Sequence, residues 1–289
     1  MKINNKNKIN KLFLFILIVI IILSLKFIVN FILYEEKFYP RHKSSNLKKD
    51  GFYVFKDLLN LNEINYLSNL CYTNKHYEVK HYLHKHLKIN NYIKNYINNE
   101  YIFQDYIFII KKSLIHTCHR DSNGDFFNEN QKYPSYTLII FLEDMEKCLG
   151  VIPKSHHDIN SFNYNHNDEV KNIICKKGDC ILFNANLIHV GALNEKEDNL
   201  RIQMKITHKE DIKHLSFYNN YNKVQDQNNN LPFFLKKAQR KLSCMFPIIS
   251  NYTQTEIKET VNGKEISLIQ KIYSFLFYGN SNFYNLKNA

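Results

Sequence analysis

The sequence predicts a mostly β chain with added helices (α+β), built on a jelly roll or similar two-sheet barrel. Three observations carry this expectation. Between residues 101 and 207 the chain is a succession of short runs dense in β-branched and aromatic residues, separated by turn signals and by no helical pattern. Helical spacing of apolar residues is confined to the segments before and after that region. A long apolar stretch lies close to the N-terminus. With 289 residues and 44% hydrophobic content the chain can bury a substantial core, which excludes disorder as its main state. Seven Gly and five Pro exclude collagen-like and Gly/Pro-rich classes, and 21 Phe and 20 Tyr with no Trp predict a core of mid-sized aromatics.

The first element is a membrane span. Leu12 to Leu25 is apolar except for Ser24, and after Lys26 the pattern resumes through Phe27-Ile28-Val29 and Phe31 to Tyr34. About 22 residues at 1.5 Å rise suffice to cross ~30 Å of hydrocarbon, with Lys26 snorkelling toward the headgroups. The stretch is long for a signal-peptide core and no small-x-small cleavage site follows it, so residues 12–34 are expected to be an uncleaved signal anchor behind a basic tail, 1–11. Lys2, Lys6, Lys8 and Lys11 on one side are balanced by Lys37, Arg41, Lys43 and Lys48 on the other, so flanking charge does not set the orientation. A short N-terminal tail is commoner in the cytosol, making this a type II single-pass protein with its C-terminal part lumenal or external. Asn251-Tyr252-Thr253 would then be a glycosylation acceptor.

Residues 35–50 are polar and basic and read as a stalk. Leu58, Leu61, Ile64, Leu67, Leu70 and Cys71 predict an amphipathic helix from Leu58 to Tyr72, with Asn60 or Asn62 as N-cap. A second is predicted from Val79 to Ile97. Strands are expected at Tyr101 to Ile115, Tyr136 to Leu142, Lys171 to Cys175, Cys180 to Phe183, Leu187 to Val190 and Arg201 to Thr207. Turns lie at Ser122-Asn123-Gly124-Asp125 and Lys177-Gly178-Asp179, with a polar loop from Asn194 to Asn199. Short strands without intervening helices predict antiparallel pairing. In the last strand Arg201, Gln203, Lys205 and Thr207 share one face and Ile202, Met204 and Ile206 the other, so the polar face meets either solvent or a wet cavity. Beyond Lys209 the chain turns helical and irregular, with candidate helices at Leu231 to Phe246 and Ile266 to Tyr278.

The formal charge of +12 invites a nucleic-acid reading. Residues 1–33 hold five Lys and no acid, leaving 34 basic against 27 acidic residues, a dispersed +7 without a compact basic block. No nucleic-acid partner is expected. The six Cys (71, 118, 148, 175, 180 and 244) show no zinc-finger spacing, and read as core thiols rather than as a Cys175/Cys180 bridge.

Chemistry rests on histidine. The pattern His-x-Asp/Glu occurs at His76, His119, His156, His166 and His208, so the tripeptide alone discriminates nothing. His119-Arg120-Asp121 differs in position: it follows a long apolar strand, precedes a Gly-containing turn, and puts two ligand types at i and i+2 on one face of extended chain. His189 is the best third ligand from a later strand. His81 and His84 share a helical face but read as solvated, and His156 and His157 as structural or substrate-side.

These pieces resemble the phytanoyl-CoA dioxygenase-like branch of the iron(II)/2-oxoglutarate oxygenases. The matching residues are His119-Arg120-Asp121; Thr137 to Asp144 running into Cys148-Leu149-Gly150-Val151-Ile152-Pro153-Lys154-Ser155-His156; Gly178-Asp179-Cys180-Ile181-Leu182-Phe183; Ile188-His189-Val190-Gly191; and Arg201. Lys147 and Lys154 depart from it, standing where that family usually has Gly. The resemblance runs from about Tyr101 to Thr207 and implies a double-stranded β-helix; with the N-terminal helices this domain is expected to span residues 51–209, and the residues beyond it, 210–289, read as a helical extension. The resemblance implies that His119, Asp121 and His189 bind Fe(II), while Arg201, assisted by Gln203, holds 2-oxoglutarate. It further implies that dioxygen and 2-oxoglutarate are consumed to hydroxylate a substrate C–H bond, giving succinate and CO2; the substrate is not specified. A non-catalytic barrel serving as a binding or structural membrane protein, and a cupin-type protein using another metal, are the alternatives.

Overall fold

The computed structural model describes residues 3–112, 118–121, 131–157, 170–195, 198–214, 221–226 and 231–245, together with 267–269, 271–272, 275 and 281. The chain divides into two compact units, Met1–Glu35 and Glu36–Ala289. The first is one helix, α1 (Ile3–Leu33). Its Phe13–Leu33 stretch has a mean hydropathy of 2.9 and is long and apolar enough to cross a membrane.

The second unit opens with β1 (Lys37–Tyr39), α2 (Leu47–Asp50) and β2 (Phe52–Phe55), followed by three helices, α3 (Leu61–Tyr72), α4 (His76–Lys85) and α5 (Leu87–Tyr96). Then come β3 (Tyr101–Phe103), β4 (Tyr106–Lys112), β5 (Tyr136–Phe141), β6 (Leu149–Val151), β7 (Lys171–Ile173), β8 (Cys180–Asn184), β9 (His189–Gly191), β10 (Asp198–His208), β11 (Tyr221–Gln225) and α6 (Phe233–Met245). The larger sheet runs β11-β4-β10-β5-β8-β2, with β3 also on β10, and the smaller β1-β7-β6-β9.

Side-chain alternation sorts the larger sheet's residues into two apolar layers. Ile107 and Ile109 of β4, Leu138 and Ile140 of β5, and Ile202, Met204 and Ile206 of β10 pack with Ile64, Leu67, Val79, Leu83, Ile89 and Ile93 of the helices. Ile139 and Phe141 of β5 and Ile181 and Phe183 of β8 pack instead with Leu149, Val151 and Ile173 of the smaller sheet. Strands buried on both faces read as continuous apolar runs, which is why β5 and β8 were plain in the sequence. The polar face of β10 is therefore interior: Arg201, Lys205 and Thr207 are buried.

Several expectations change. The helix foreseen from Val79 to Ile97 is two, because His86 is extended (φ −68°, ψ 106°) and its ring accepts the Ile89 N–H as the N-cap of α5. α3 starts at Leu61, three residues after the expected Leu58, capped by Asn60, one of the two expected caps, in a reciprocal capping box with Glu63. Pairing is not uniformly antiparallel, since β1 lies parallel to β7 and β11 parallel to β4 at the sheet edges. β11 falls where only helix and irregular chain were foreseen. The predicted turn at 122–125, the sequon at Asn251 and most of the predicted helix Ile266 to Tyr278 lie outside the described residues.

The segment 35–50 is not the simple polar stalk that its composition suggests, because its charged residues have interior partners. The Arg41 guanidinium forks onto Asp179, Nε to Oδ2 at 2.7 Å and Nη2 to Oδ1 at 2.8 Å. Asp179, fully buried, also accepts from the backbone N–H groups of Asp57 and Lys176. Burial alone would raise its carboxyl pKa, but these donors outweigh that and hold it below the usual carboxylate range. Because the folded value is depressed, the stabilisation is complete above the unfolded pKa of about 3.9 and is lost as pH falls through the folded one. Asp179→Ala is expected to cost about 3–5 kcal/mol in urea unfolding at neutral pH, a gap that narrows in strong acid. An unchanged gap at low pH would show that the loss comes from packing and not from the charge.

Candidate metal centre

His119 and His189 face one another across a two-strand bridge, each backbone N–H donating to the other's carbonyl at 2.8 Å. In an antiparallel pair, directly opposed residues project to the same side, so both imidazoles leave the bridge together. Asp121, two residues beyond His119, shares that face, and its N–H is held by the Ala185 carbonyl at 2.9 Å. The three side chains converge: Asp121 Oδ1 lies 3.6 Å from His119 Nε2 and 3.5 Å from His189 Nε2. All three candidate ligand atoms fall within 4.8 Å of one another.

This spacing suits a metal ion. With bonds of about 2.1 Å, two donors at right angles lie about 3 Å apart and opposed donors about 4.2 Å, and the carboxylate–imidazole separations fall within that range. The donor set of two imidazoles and one carboxylate is that of non-haem iron sites with open positions. His189 is oriented for it, as its Nδ1 faces the Leu187 carbonyl at 2.9 Å and leaves Nε2 toward the cluster. Burial pushes the His189 imidazole below its ordinary pKa despite the opposing pull of Asp121.

Burial would raise the Asp121 carboxyl, but the Lys205 ammonium, followed by His189 and His119, overrides it and holds the group well below the carboxylate range. Asp121 Oδ2 accepts from Thr137 Oγ1 at 2.7 Å and from Lys205 Nζ. Lys205 and Thr137 are cross-strand partners in β10 and β5. The sequence singles out neither as a site residue, although alternation along β10 places Lys205 on the face of Arg201.

Arg201 is 3% exposed on that face. Its Nη1 donates to the Asn199 carbonyl at 3.2 Å and to Asn199 Oδ1. Among the described residues no carboxylate pairs with the guanidinium, and burial pushes its pKa down to about 10. Gln203, two residues on, is half-buried and in register with Ile139 and Phe108.

The remaining motif residues support the bridge. Ser155 Oγ accepts the Ile188 N–H at 2.8 Å, and Arg120, pointing away from its two neighbours, donates to the Asn186 carbonyl at 2.8 Å. His156 and His157 turn to the Lys48 and Lys49 carbonyls at 3.0 and 3.3 Å, away from ligand duty. Lys154 has φ 72°, a left-handed conformation that costs a non-glycine residue about 1–2 kcal/mol, which explains the usual Gly there. Lys147 shows no positive φ; Asn194 brackets its backbone N–H and carbonyl at 3.0 and 2.9 Å.

A two-sheet α+β protein with a His-x-Asp and a distant His converging in its interior is, by class, a candidate mononuclear metal protein. The family resemblance drawn from the motifs is shown by comparison: residues 73–201 match the family model described as Phytanoyl-CoA dioxygenase (PhyH). Solved structures similar to the chain include the epimerase SnoN from nogalamycin biosynthesis, 13% identical over 56% of this chain and 80% of its own, with a TM-score of 0.47. AviO1 from Streptomyces viridochromogenes is 14% identical over 56% of this chain and 91% of its own, with a TM-score of 0.45. HygX from Streptomyces hygroscopicus, with nickel and 2-oxoglutarate bound, is 13% identical over 56% and 84%, with a TM-score of 0.43. No curated protein matches the chain.

Proposed function

We propose that the chain is an iron(II)/2-oxoglutarate-dependent oxygenase of double-stranded β-helix architecture that hydroxylates a substrate and is held at a membrane by residues 12–34. The observation that carries this reading is the convergence of His119, Asp121 and His189, with one carboxylate oxygen presented to both imidazoles. His119 Nε2, His189 Nε2 and Asp121 Oδ1 would hold the ferrous ion. Arg201 would take the distal carboxylate of 2-oxoglutarate, since a planar guanidinium matches a carboxylate fork and this one is buried without a carboxylate partner among the described residues. Gln203 would assist from the same face. When bound, iron, 2-oxoglutarate and dioxygen supply the oxidation of a substrate C–H bond, with release of succinate and CO2. The protein's own part is to fix three donors on one side, to balance the co-substrate's charge and to keep water from the interior.

The membrane part rests on the hydropathy of Phe13–Leu33 and on the separate unit that α1 forms. The orientation that goes with this reading is type II, with Glu36–Ala289 lumenal or external.

The test uses the full chain in detergent and in vesicles. It is expected to float with vesicles and, supplied with Fe(II) in air, to form succinate from 2-oxoglutarate. Incubation with small-molecule and lipid extracts is then expected to yield a product heavier by one oxygen atom. A product of unchanged mass would replace hydroxylation by a stereochemical inversion, and no succinate at all would overturn the oxygenase reading.

A further inference from the structure

The Asp121 carboxylate is divided between two environments. Oδ1 faces the imidazoles of His119 and His189, while Oδ2 is taken by the Thr137 hydroxyl and the Lys205 ammonium. Lys205 Nζ also donates to Thr137 Oγ1 at 2.8 Å and stands 5.9 Å from the centre of the Tyr106 ring. The arrangement is fixed by sheet register, with Lys205 directly opposite Thr137 and Thr137 in turn opposite Phe183. Lys205 is 4% exposed, and a lysine is almost never so deeply buried unless paired. It lies four residues beyond the last position of the family match, at Arg201.

We propose that Lys205 is a positioning residue for the metal: it occupies Oδ2 so that Asp121 meets a divalent cation through Oδ1 alone, and it neutralises the buried carboxylate when no cation is present. This rests on the metal reading above. Two consequences follow from elementary electrostatics. With one lone pair of Oδ2 taken by the Thr137 hydroxyl and the other by the Lys205 ammonium, that oxygen has none left to close a four-membered chelate on the ion, so the position that chelation would fill stays open. The ammonium also repels an incoming dication, so the site trades affinity for a cation-free state that folds without strain from an unpaired charge.

Lys205→Met keeps the length of the side chain and removes its charge. Without metal, the variant is expected to melt several degrees below the wild type, in line with the shift of roughly 2–4 °C per kcal/mol for chains of this size. Co(II) should raise its melting temperature by more than it raises that of the wild type. Bound Co(II) should show a shifted visible absorption band as the second carboxylate oxygen joins the ion. Lys205→Arg retains the charge and should keep the wild-type melting temperature and spectrum. If Lys205→Met folds only when Co(II) is present, that result supports the proposal, since the cation then supplies the missing charge. Wild-type melting, Co(II) affinity and spectrum in Lys205→Met would overturn it, as would misfolding that Co(II) does not rescue. A wild-type chain that takes up no Co(II) fails the metal reading itself, whereas normal uptake with an unaltered variant spectrum fails this proposal alone.

Discussion

His189→Ala is expected to abolish saturable Fe(II) or Co(II) binding and, with it, succinate formation. Losing a group that merely orients a ligand costs 10–100-fold in metal affinity or activity, and loss of the ligand itself should exceed this. Among the described residues two candidate donors would remain, both from the single segment 119–121. The fold should survive, because the bridge to His119 is made by backbone groups that the substitution leaves in place. Equilibrium dialysis and circular dichroism together check the expectation. A variant that binds the ion as the wild type does would remove His189 from the ligand set, and one that unfolds would show that the ring's contact with Phe183 matters more than the bridge.

Arg201→Met is expected to act in opposite directions on activity and on stability. Removing two charge-assisted hydrogen bonds to a carboxylate, at about 1.5 kcal/mol each, should raise the 2-oxoglutarate concentration for half-maximal succinate formation roughly 10²-fold. The co-substrate-free chain should meanwhile become more stable by about 1–3 kcal/mol, since a buried guanidinium with no carboxylate partner among the described residues is exchanged for an apolar side chain of similar volume. A residue serving only the fold would move stability the other way and leave the 2-oxoglutarate requirement alone. Titration of 2-oxoglutarate and urea unfolding of the same preparation separate the two cases.

Much of this site was legible because its determinants are local. Alternation along β10 fixed which residues accompany Arg201, and the i, i+2 spacing of His119 and Asp121 fixed their common face. What stayed hidden depends on partners distant in sequence. Nothing near Arg41 says that it is not a surface cation; its partner, Asp179, is 138 residues away. β11 lacks an apolar alternation because it is a polar edge strand whose place is set by pairing with β4. The break between α4 and α5 is made by a histidine acting as a cap, a role that helical spacing does not reveal. Lys205 was visible as a polar neighbour of Arg201, but its contact with Asp121 arises only when β10 and the 119–121 segment meet in the interior.

The most direct test is an anaerobic titration of the Fe(II)-loaded full chain with 2-oxoglutarate, followed by visible absorption. A chelated 2-oxo acid on ferrous iron should produce a saturable charge-transfer band that is absent in His189→Ala and shifted to far higher 2-oxoglutarate concentration in Arg201→Met. No band in the wild type, or a band indifferent to both substitutions, would contradict the account.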